Sequence, residues 1–333
     1  MTRRGLILFA ALGIAWGIPY LFIKVAVSEL DPAMVVLGRS ALAAILLLPL
    51  AFFRREVVSV VRRWKPMLAY TLVEIILPWY FLSTAEQRLP SSTAGLLLAT
   101  VPLAGVAIAF AMGRPERLSR MNWLGIAFGM LGVAALVGLD IAGSDLIAVA
   151  QMAVVVVGYA LGPAILSRWM SDLPGVGVVA VSLAVTAVVY VPFVLFTGAW
   201  PTAVPSTAVI VSVIVLAVVC SALAFLLMVG LIAEIGPVKA TTITYVNPAV
   251  AIIAGVVVLG ERVTIWTIVG FVLVLAGSYL VTRKRQETPA AAGVEAAPAE
   301  QTPADQASVE RPTAERPTAR QSPVGQAAVE QPR

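Results

Sequence analysis

Two ionisable side chains lie inside long apolar stretches, where a charge is costly to keep. Glu74 is eight residues inside the stretch 66–86, and Arg39 lies within the stretch 33–53. An ionisable residue at the centre of a membrane helix costs about 2.5–3.5 kcal/mol on insertion scales, so it needs a use or a partner. Glu74 is predicted either to titrate a proton or bind a substrate amine, or to be a structural carboxylate that pairs with Arg39 or a neighbouring helix. Arg39 is expected to hold helices together rather than to contact a substrate.

Two basic residues, Lys24 and Arg168, occupy corresponding positions at the ends of the first and sixth apolar stretches. Long basic side chains readily reach from a helix end to the polar interface, and this is the expectation for Arg168. For Lys24 two interpretations stay open, a gate residue and an interfacial anchor, because it lies towards the outer face.

Aromatic residues inside the apolar stretches are candidates for substrate binding. Trp16, Tyr20, Trp79 and Tyr159 are the members of this set, and three of them fall near the middle of a stretch. Aromatic residues usually mark the membrane interface, so a mid-span position favours an aromatic cage over a belt, with ordinary helix packing as the alternative. Asn247 is polar at the same depth and is predicted to bind substrate or neighbouring backbone.

Prolines and glycines mark the places where these helices bend or approach each other. A proline frees backbone groups at membrane depth, which is tolerated only where protein or a watery cavity satisfies them. Four prolines are therefore predicted to break helices beside a cavity: Pro19, Pro102, Pro163 and Pro248. The G-x3-G pairs, such as Gly158 and Gly162, predict close helix packing.

The composition places most of the chain in lipid. Apolar residues make up 60% of the 333 residues and charged residues 12%, with a mean hydropathy of +0.95. The absence of histidine excludes histidine metal sites and His-based triads, and the single Cys220 excludes an internal disulfide. No phosphate-binding G-x4-G-K-[ST] sequence occurs, so ATP is not the direct energy source. We expect no metal and no cofactor.

Ten apolar stretches are long enough to cross a bilayer, which takes about 20 residues. The predicted spans are 5–23, 33–53, 66–86, 89–113, 121–139, 146–167, 175–196, 207–231, 240–260 and 263–282. The first is not interpreted as a signal peptide, because it continues past any cleavage point. The sequence therefore predicts an all-α, multi-pass protein of the cell (inner or plasma) membrane.

Basic residues predict the orientation of these spans, because cytoplasmic loops carry an excess of lysine and arginine. With both termini in the cytoplasm, only Arg88 and Arg262 fall in outer loops. The inner segments hold Arg3, Arg4, Arg54, Arg55, Arg62, Arg63, Lys65, Arg114, Arg117, Arg120, Arg168, Lys239, Arg283, Lys284 and Arg285. This topology explains the net charge of +5 without a nucleic-acid surface. The Pro/Ala-rich residues 286–333 are predicted to form a disordered cytoplasmic tail.

The chain also repeats itself. The pair Ala85-Glu86 precedes Pro90 as Ala233-Glu234 precedes Pro237, and Val101-Pro102 corresponds to Asn247-Pro248. Further along, the spacing from Glu to Gly to Gly is the same in Glu116, Gly125 and Gly132 as in Glu261, Gly270 and Gly277. Each half, 1–139 and 140–285, contains five predicted spans, and an odd number requires the second half to be inverted. Inverted repeats are typical of transporters that alternate between two access states.

These repeated segments resemble the EamA-type permeases of the drug/metabolite transporter superfamily. The residues that carry the likeness are 16–24, 38–44, 85–103 and Leu259-Gly260-Glu261-Arg262, followed by a Gly-x6-Gly helix. The first half departs from the pattern at Gly113-Arg114-Pro115-Glu116, where Leu-Gly-Glu is typical. The resemblance implies a ten-helix carrier, two inverted five-helix repeats, that moves small organic metabolites or amino acids, commonly outward.

The leading hypothesis is thus a secondary active transporter with no enzymatic activity of its own. Its expected partners are a small-molecule substrate, membrane lipid and a coupling proton, with the protein a monomer or a homodimer. Two other classes stay open. A membrane-embedded lipid enzyme would need clustered acids or metal ligands near one interface. A receptor or scaffold would signal through the tail, and deleting 286–333 would disable it.

Overall fold

Helices form nearly all of the chain that the structure describes. The computed structural model describes residues 2–111, 120–139, 146–236 and 240–282, and these ranges contain no β-strand. This confirms the all-α prediction. The predicted disordered tail 286–333 and the inner loop around Glu116 lie outside the described residues, as does the junction at residue 140 between the predicted repeats.

The long helices follow the predicted apolar stretches closely. They are α1 Arg3–Ala26, α2 Pro32–Phe53, α3 Trp64–Glu86, α4 Ser91–Ala109, α5 Arg120–Leu139, α6 Leu146–Trp169, α7 Gly175–Thr197, α8 Thr207–Ile235, α9 Thr242–Leu259 and α10 Ile265–Thr282. A short helix, Val57–Arg62, joins α2 to α3. Within the described ranges, eight helices are long and apolar enough to cross a membrane, whereas α5 and α10 hold shorter apolar stretches.

Local signals set the helix ends. Asp31 accepts a hydrogen bond from the Ala33 amide at 2.8 Å and precedes Pro32, so α2 begins with a side-chain cap and a proline already in helical conformation. Gly260 ends α9 in the left-handed conformation at φ +65°, a region where glycine carries no steric penalty. The sharp stop after α9 places Glu261 directly at the helix end.

Several long helices depart from regular α-geometry near their middles. α1 changes direction at Ile18, just before Pro19, and α4 is interrupted at Ala99-Thr100. α3 contains the π-helical segment Leu72–Ile76, and α8 contains the π-helical segment Val218–Leu223. The start of α9 lies in a 3₁₀ helix, Thr241–Tyr245. Such irregular turns are frequent at functional sites, because they re-aim side chains and free backbone groups.

The helices pack in pairs that join the first five to the last five. α5 lies against α10, α2 against α7, α3 against α6, α4 against α9, and α1 against α8. The outer surface is apolar: Phe53 is 88% exposed and Phe196 is 90% exposed. By contrast, Arg39 and Glu86 are buried. This arrangement of apolar outside and charged inside suits a protein surrounded by lipid.

Candidate functional site

The broken parts of α1 and α9 lie directly against each other. A Cβ on Gly17 would overlap Val250 of α9 and lie 3.2 Å from the backbone oxygen of Asn247. Only glycine permits this approach between two helices that each contain a proline break. The Oδ1 atom of Asn247 is buried there and has no hydrogen-bond partner among the described residues.

The break in α4 is compensated by a side chain from α10. Where the helix restarts at Pro102, the Leu103 amide donates to the Thr100 oxygen at 2.9 Å, which leaves the Ala99 carbonyl without the amide partner of a regular α-helix. The Ser278 hydroxyl donates a hydrogen bond to that oxygen at 2.7 Å. The Tyr245 hydroxyl donates in turn to the Ser278 backbone oxygen at 3.1 Å. The predicted breaks at Pro102 and Pro248 are thus tied together through α10.

Glu74 lies within the π-helical segment of α3 and faces α6. A Cβ on Gly162 would collide with its carboxylate, and a Cβ on Gly158 would collide with the Val73 carbonyl. The pair Gly158 and Gly162 was predicted to allow close helix packing. It leaves the space that the π-helical segment and the Glu74 carboxylate occupy. One carboxylate oxygen, Oε2, is buried without a hydrogen-bond partner. Pairing with Arg39, one hypothesis for this residue, is not found.

Arg39 forms the centre of a second polar group. It is 5% exposed, and its guanidinium carbon lies 3.6 Å from the centroid of the Trp79 ring. Its Nη2 donates to the Ser221 hydroxyl at 3.1 Å, and that hydroxyl donates to the Leu216 carbonyl at 2.8 Å across the π-helical turn of α8. The Nε atom of Arg39 is buried with no partner. The π-helical segment of α3 thus carries Glu74, and that of α8 carries Ser221, the hydrogen-bond partner of Arg39.

Glu86, the last residue of α3, is the important residue that sequence reasoning missed. It is fully buried, and neither of its carboxylate oxygens has a hydrogen-bond partner among the described residues. The charged neighbours that act electrostatically on Glu86 are Lys24, Glu261 and Arg39, and none of these three forms an ion pair with its carboxylate. The repeated pair Ala85-Glu86 was the available signal, but it indicated only the repeat and not the burial of Glu86.

Lys24 holds the turn that follows Glu86. Its Nζ donates to the backbone oxygens of Glu86 at 2.6 Å and Leu89 at 2.9 Å. Carbonyls at the end of a helix lack partners within the helix, and a lysine satisfies them. The geometry therefore gives Lys24 a capping contact between α1 and the end of α3.

A second carboxylate closes the same end of the molecule. Glu261 accepts hydrogen bonds from the amides of Ser91 at 2.6 Å and Ser92 at 3.0 Å, the first residues of α4. Partial burial raises the pKa of Glu261, but these hydrogen bonds outweigh burial and hold the pKa below its ordinary value. The Leu-Gly-Glu-Arg sequence of one half thus caps a helix of the other half.

The other predicted site residues divide into two groups. Tyr20 and Tyr159 lie close enough to Arg39 to interact with it electrostatically, and Tyr159 also interacts with Glu74. Trp16 lies elsewhere, edge-on to Phe225 of α8 with ring centroids 5.8 Å apart. The structure thus brings Tyr20, Trp79 and Tyr159 together and leaves Trp16 in a separate apolar cluster.

Pro163 differs from the other three predicted break positions. It lies inside α6, which continues as one helix from Leu146 to Trp169, and its side chain is exposed. A proline removes a single amide donor, and a helix can continue past it when the surrounding turns stay intact. No break beside a cavity is found at this residue. Within the described ranges, no cluster of three potential metal ligands occurs either.

Comparison with known proteins identifies the family. The model of the EamA-like transporter family matches residues 3–138 and 146–283. The chain is 30% identical over 292 residues to the uncharacterized inner membrane transporter YedA of Escherichia coli (strain K12), which covers 84% of this chain and 93% of that one. It is 26% identical over 297 residues to the uncharacterized transporter YvbV of Bacillus subtilis (strain 168), over 87% and 95% of the two chains.

A solved crystal structure has the same fold. It superposes with a TM-score of 0.60 at 17% identity and covers 85% of this chain and 97% of its own. The family match extends over both halves of the helical region, and the relatives align over nearly their full lengths. The protein therefore belongs to the EamA-like transporter family and is a multi-pass membrane protein.

Proposed function

We propose that the protein is a secondary active transporter that exports small organic metabolites, amino acids or related compounds, by alternating access. Its place is the inner or plasma membrane, with both termini in the cytoplasm. The name of the E. coli relative, an inner membrane transporter, supports this location. The concentration of basic residues in the predicted inner loops supports the orientation.

Contacts between α5 and α10 support ten spans arranged as two inverted repeats, 1–139 and 140–285. A Cβ on Gly125 would lie 2.7 Å from the Gly277 oxygen, and one on Gly277 would lie 2.5 Å from the Gly125 oxygen. Gly132 and Gly270 meet in the same reciprocal way. The repeated Gly-x6-Gly motif therefore packs against its own copy, running in the opposite direction. This is the contact expected of a twofold relation between inverted halves.

One observation carries the functional proposal: eight buried polar side-chain atoms of the described residues have no hydrogen-bond partner. Five of them are Arg39 Nε, Glu74 Oε2, both carboxylate oxygens of Glu86, and Asn247 Oδ1, which lie on helices that pack against the other half. An unsatisfied buried polar group costs about 1–3 kcal/mol, so several in one bundle are costly for a protein that only needs to fold. A polar substrate that passes between the halves supplies the missing partners.

In this proposal Glu74 carries the coupling proton and Lys24 and the Glu86 turn form part of the outer gate. Glu74 lies in a π-helical turn between α3 and α6, where its contact with Gly162 links the two halves. A carboxylate that gains and loses a proton at this junction couples proton movement to the relative position of the halves. Tyr20, Trp79, Tyr159, Trp16 and Asn247 are the substrate-facing candidates.

The test compares Glu74→Gln with the wild type in proteoliposomes under a pH gradient. We expect the variant to fold, to lose gradient-driven accumulation because glutamine cannot take up or release a proton, and to keep substrate exchange without a gradient. Glu234→Gln is the matched control, because it removes a carboxylate at a helix end and should leave accumulation unchanged. Full gradient-driven transport by Glu74→Gln would show that this carboxylate is not the coupling site, and failure to accumulate as folded protein would assign it a structural role.

A further inference from the structure

Basic and aromatic side chains meet where α2 ends, α3 begins and α6 ends. Arg63, just before α3, donates from Nη1 to the Trp169 backbone oxygen at 2.7 Å and from both Nη atoms to the Asp172 carboxylate at 2.8 Å. Two parallel hydrogen bonds between an arginine and a carboxylate fix the geometry of the pair. They hold the connection between α2 and α3 against the end of α6. The side chains around this link form the basic–aromatic cluster: Arg54, Arg55, Arg62, Lys65, Arg168, Trp64 and Trp169.

Each side of the link presents an exposed tryptophan beside a basic side chain. The Lys65 Nζ atom lies 5.6 Å from the centroid of the Trp64 ring, and the Arg168 guanidinium carbon lies 5.5 Å from the centroid of the Trp169 ring. Trp64 is 56% exposed and Trp169 is 50% exposed. Tryptophans at the ends of membrane helices usually lie at the level of the lipid headgroups, and long basic side chains extend to the same level.

The short helix Val57–Arg62 adds an apolar surface to the cluster. Val60 is fully buried against the bundle, whereas Val58 is 60% exposed and Val61 is 51% exposed. Phe53, at the end of α2, is exposed as well. An exposed apolar face next to basic residues is typical of a helix at the membrane interface. The cluster therefore adjoins a surface that suits acyl chains.

The two acidic residues of this region do not neutralise the cluster. Glu56 packs against Gly177 of α7 with one carboxylate oxygen buried, and the Asp172 carboxylate is paired with Arg63. The five basic side chains of the cluster are exposed and form no hydrogen bond or ion pair with any other described residue. Several like charges held together with no acid between them attract an anion.

We propose that the basic–aromatic cluster binds the headgroup of an anionic phospholipid at the junction of the first and second halves. The basic side chains bind the phosphate, and Trp64 and Trp169 lie beside the headgroup. The acyl chains extend along the exposed Val58, Val61 and Phe53. In the predicted orientation the cluster faces the cytoplasmic leaflet, whose lipids carry negative charge. The lipid site does not depend on which substrate the protein transports.

The first experiment compares two lipids that share acyl chains and differ in headgroup charge. Purified wild-type protein in non-ionic detergent micelles is titrated with dioleoylphosphatidylglycerol or dioleoylphosphatidylcholine, and thermal unfolding is followed at each step. We expect the anionic lipid to raise the unfolding midpoint until the site is saturated, because a ligand of the folded state stabilises it by mass action. The zwitterionic lipid, and inorganic phosphate without acyl chains, should leave the midpoint nearly unchanged.

The second experiment separates the cluster from the general basic charge of this end of the protein. The cluster variant loses three basic charges: Arg54→Gln, Arg62→Gln and Lys65→Gln. The matched control loses three exposed basic charges of other predicted inner segments: Arg3→Gln, Arg4→Gln and Arg120→Gln. A basic residue near a membrane surface contributes about fivefold to lipid affinity. The half-saturating phosphatidylglycerol concentration should therefore rise about a hundredfold in the cluster variant and little in the control.

Three results would overturn the proposal. An equal response of wild-type protein to both lipids would exclude recognition of the headgroup charge. Equal weakening in the cluster variant and the matched control would assign the effect to diffuse charge. The same stabilisation by inorganic phosphate would make the cluster a site for soluble anions. If the cluster variant does not fold, the single variants Arg62→Gln and Lys65→Gln should each weaken binding about fivefold, and unchanged binding in both would be equally contradictory.

Discussion

The pair Ala-Glu occurs at the same place in each half, and its glutamate meets opposite surroundings. Glu86 is fully buried, with both carboxylate oxygens unpaired. Glu234 lies near the chain start, where it accepts a hydrogen bond from Thr2 and faces Arg4 at 4.0 Å. The same position thus carries a buried carboxylate without a partner in one half and a partnered surface carboxylate in the other.

The same asymmetry holds elsewhere along the repeat. Glu74 is twelve residues before Glu86, and Ala222 is twelve residues before Glu234. Arg39 is seven residues after the proline that begins α2, and Val181 is seven residues after Pro174, which precedes α7. The π-helical turns are present in both halves, but at the two compared positions the charged residue occurs in the first half only. In the proposed repeat the irregular turns are therefore shared, whereas Arg39 and Glu74 have no charged counterpart.

The largest loss of stability is expected at the contact between α5 and α10. Gly277→Ala places a Cβ 2.5 Å from the Gly125 oxygen, where backbone cannot move aside cheaply, and we expect a loss of stability of about 1–3 kcal/mol or more. Gly125→Ala should cost a similar amount, because the contact is reciprocal. Thermal unfolding of the purified variants measures both changes.

The control for this pair is Gly105→Ala. Nothing lies within 4 Å of a Cβ at Gly105, so the variant should be neutral or slightly stabilised, since alanine favours a helix over glycine by up to about 1 kcal/mol. Unequal losses for Gly125→Ala and Gly277→Ala would weaken the twofold relation. If neither variant loses stability, α5 and α10 do not meet at their glycines.

A smaller effect is expected at the end of α9, where Glu261 of the second half caps α4 of the first. Glu261→Gln should lower the free energy of unfolding by about 1–2 kcal/mol at neutral pH, the range for loss of a helix cap. Because the pKa of Glu261 is lowered in the folded protein, this contribution is present above the ordinary carboxyl pKa. It should disappear as the pH falls through the folded pKa, and the two unfolding curves should converge in acid.

Glu29→Gln is the matched comparison, and we expect it to change the free energy of unfolding least. The Ser206 amide donates to Glu29 at 2.7 Å, and hydrogen bonds from Ser206 lower the pKa of Glu29. The Glu29 carboxylate is exposed to solvent, so its loss should change stability less than the loss of Glu261. A larger effect at Glu29 than at Glu261 would contradict the ranking of these two carboxylates by burial.

Much of the fold was readable because lipid imposes a simple pattern on the sequence. Apolar length located the helices, and the duplicated spacing of glycines indicated an internal repeat. The π-helical turns could not be predicted from sequence, because they depend on packing between helices. The turn that carries Glu74 fits against α6 because Gly158 and Gly162 have no side chains there. Sequence spacing predicted that Glu74 matters, but it could not show that Arg39 is bound to Ser221 and Trp79 instead.

The site was predictable only in part for the same reason. Trp79 and Tyr159 were recognised as mid-span aromatics, and both lie near Arg39. Glu86 was missed because burial at a helix end depends on Lys24 and on the neighbouring turn, which are distant in sequence. Pro163 was over-interpreted, because a proline exposed on a continuous helix has the same sequence signal as one at a break.

Alternating access at the junction of α1 and α9 is the central claim, and cysteine labelling tests it most directly. Asn247→Cys in a Cys220→Ala background is treated with a membrane-impermeant thiol reagent in right-side-out and in inside-out vesicles. Val257→Cys, on the same helix and 75% exposed on its outer surface, is the lipid-facing control. We expect labelling of Asn247→Cys from either side and none of Val257→Cys. Complete inertness of Asn247→Cys from both sides, in protein that still transports, would place α9 in a dry core and contradict the account.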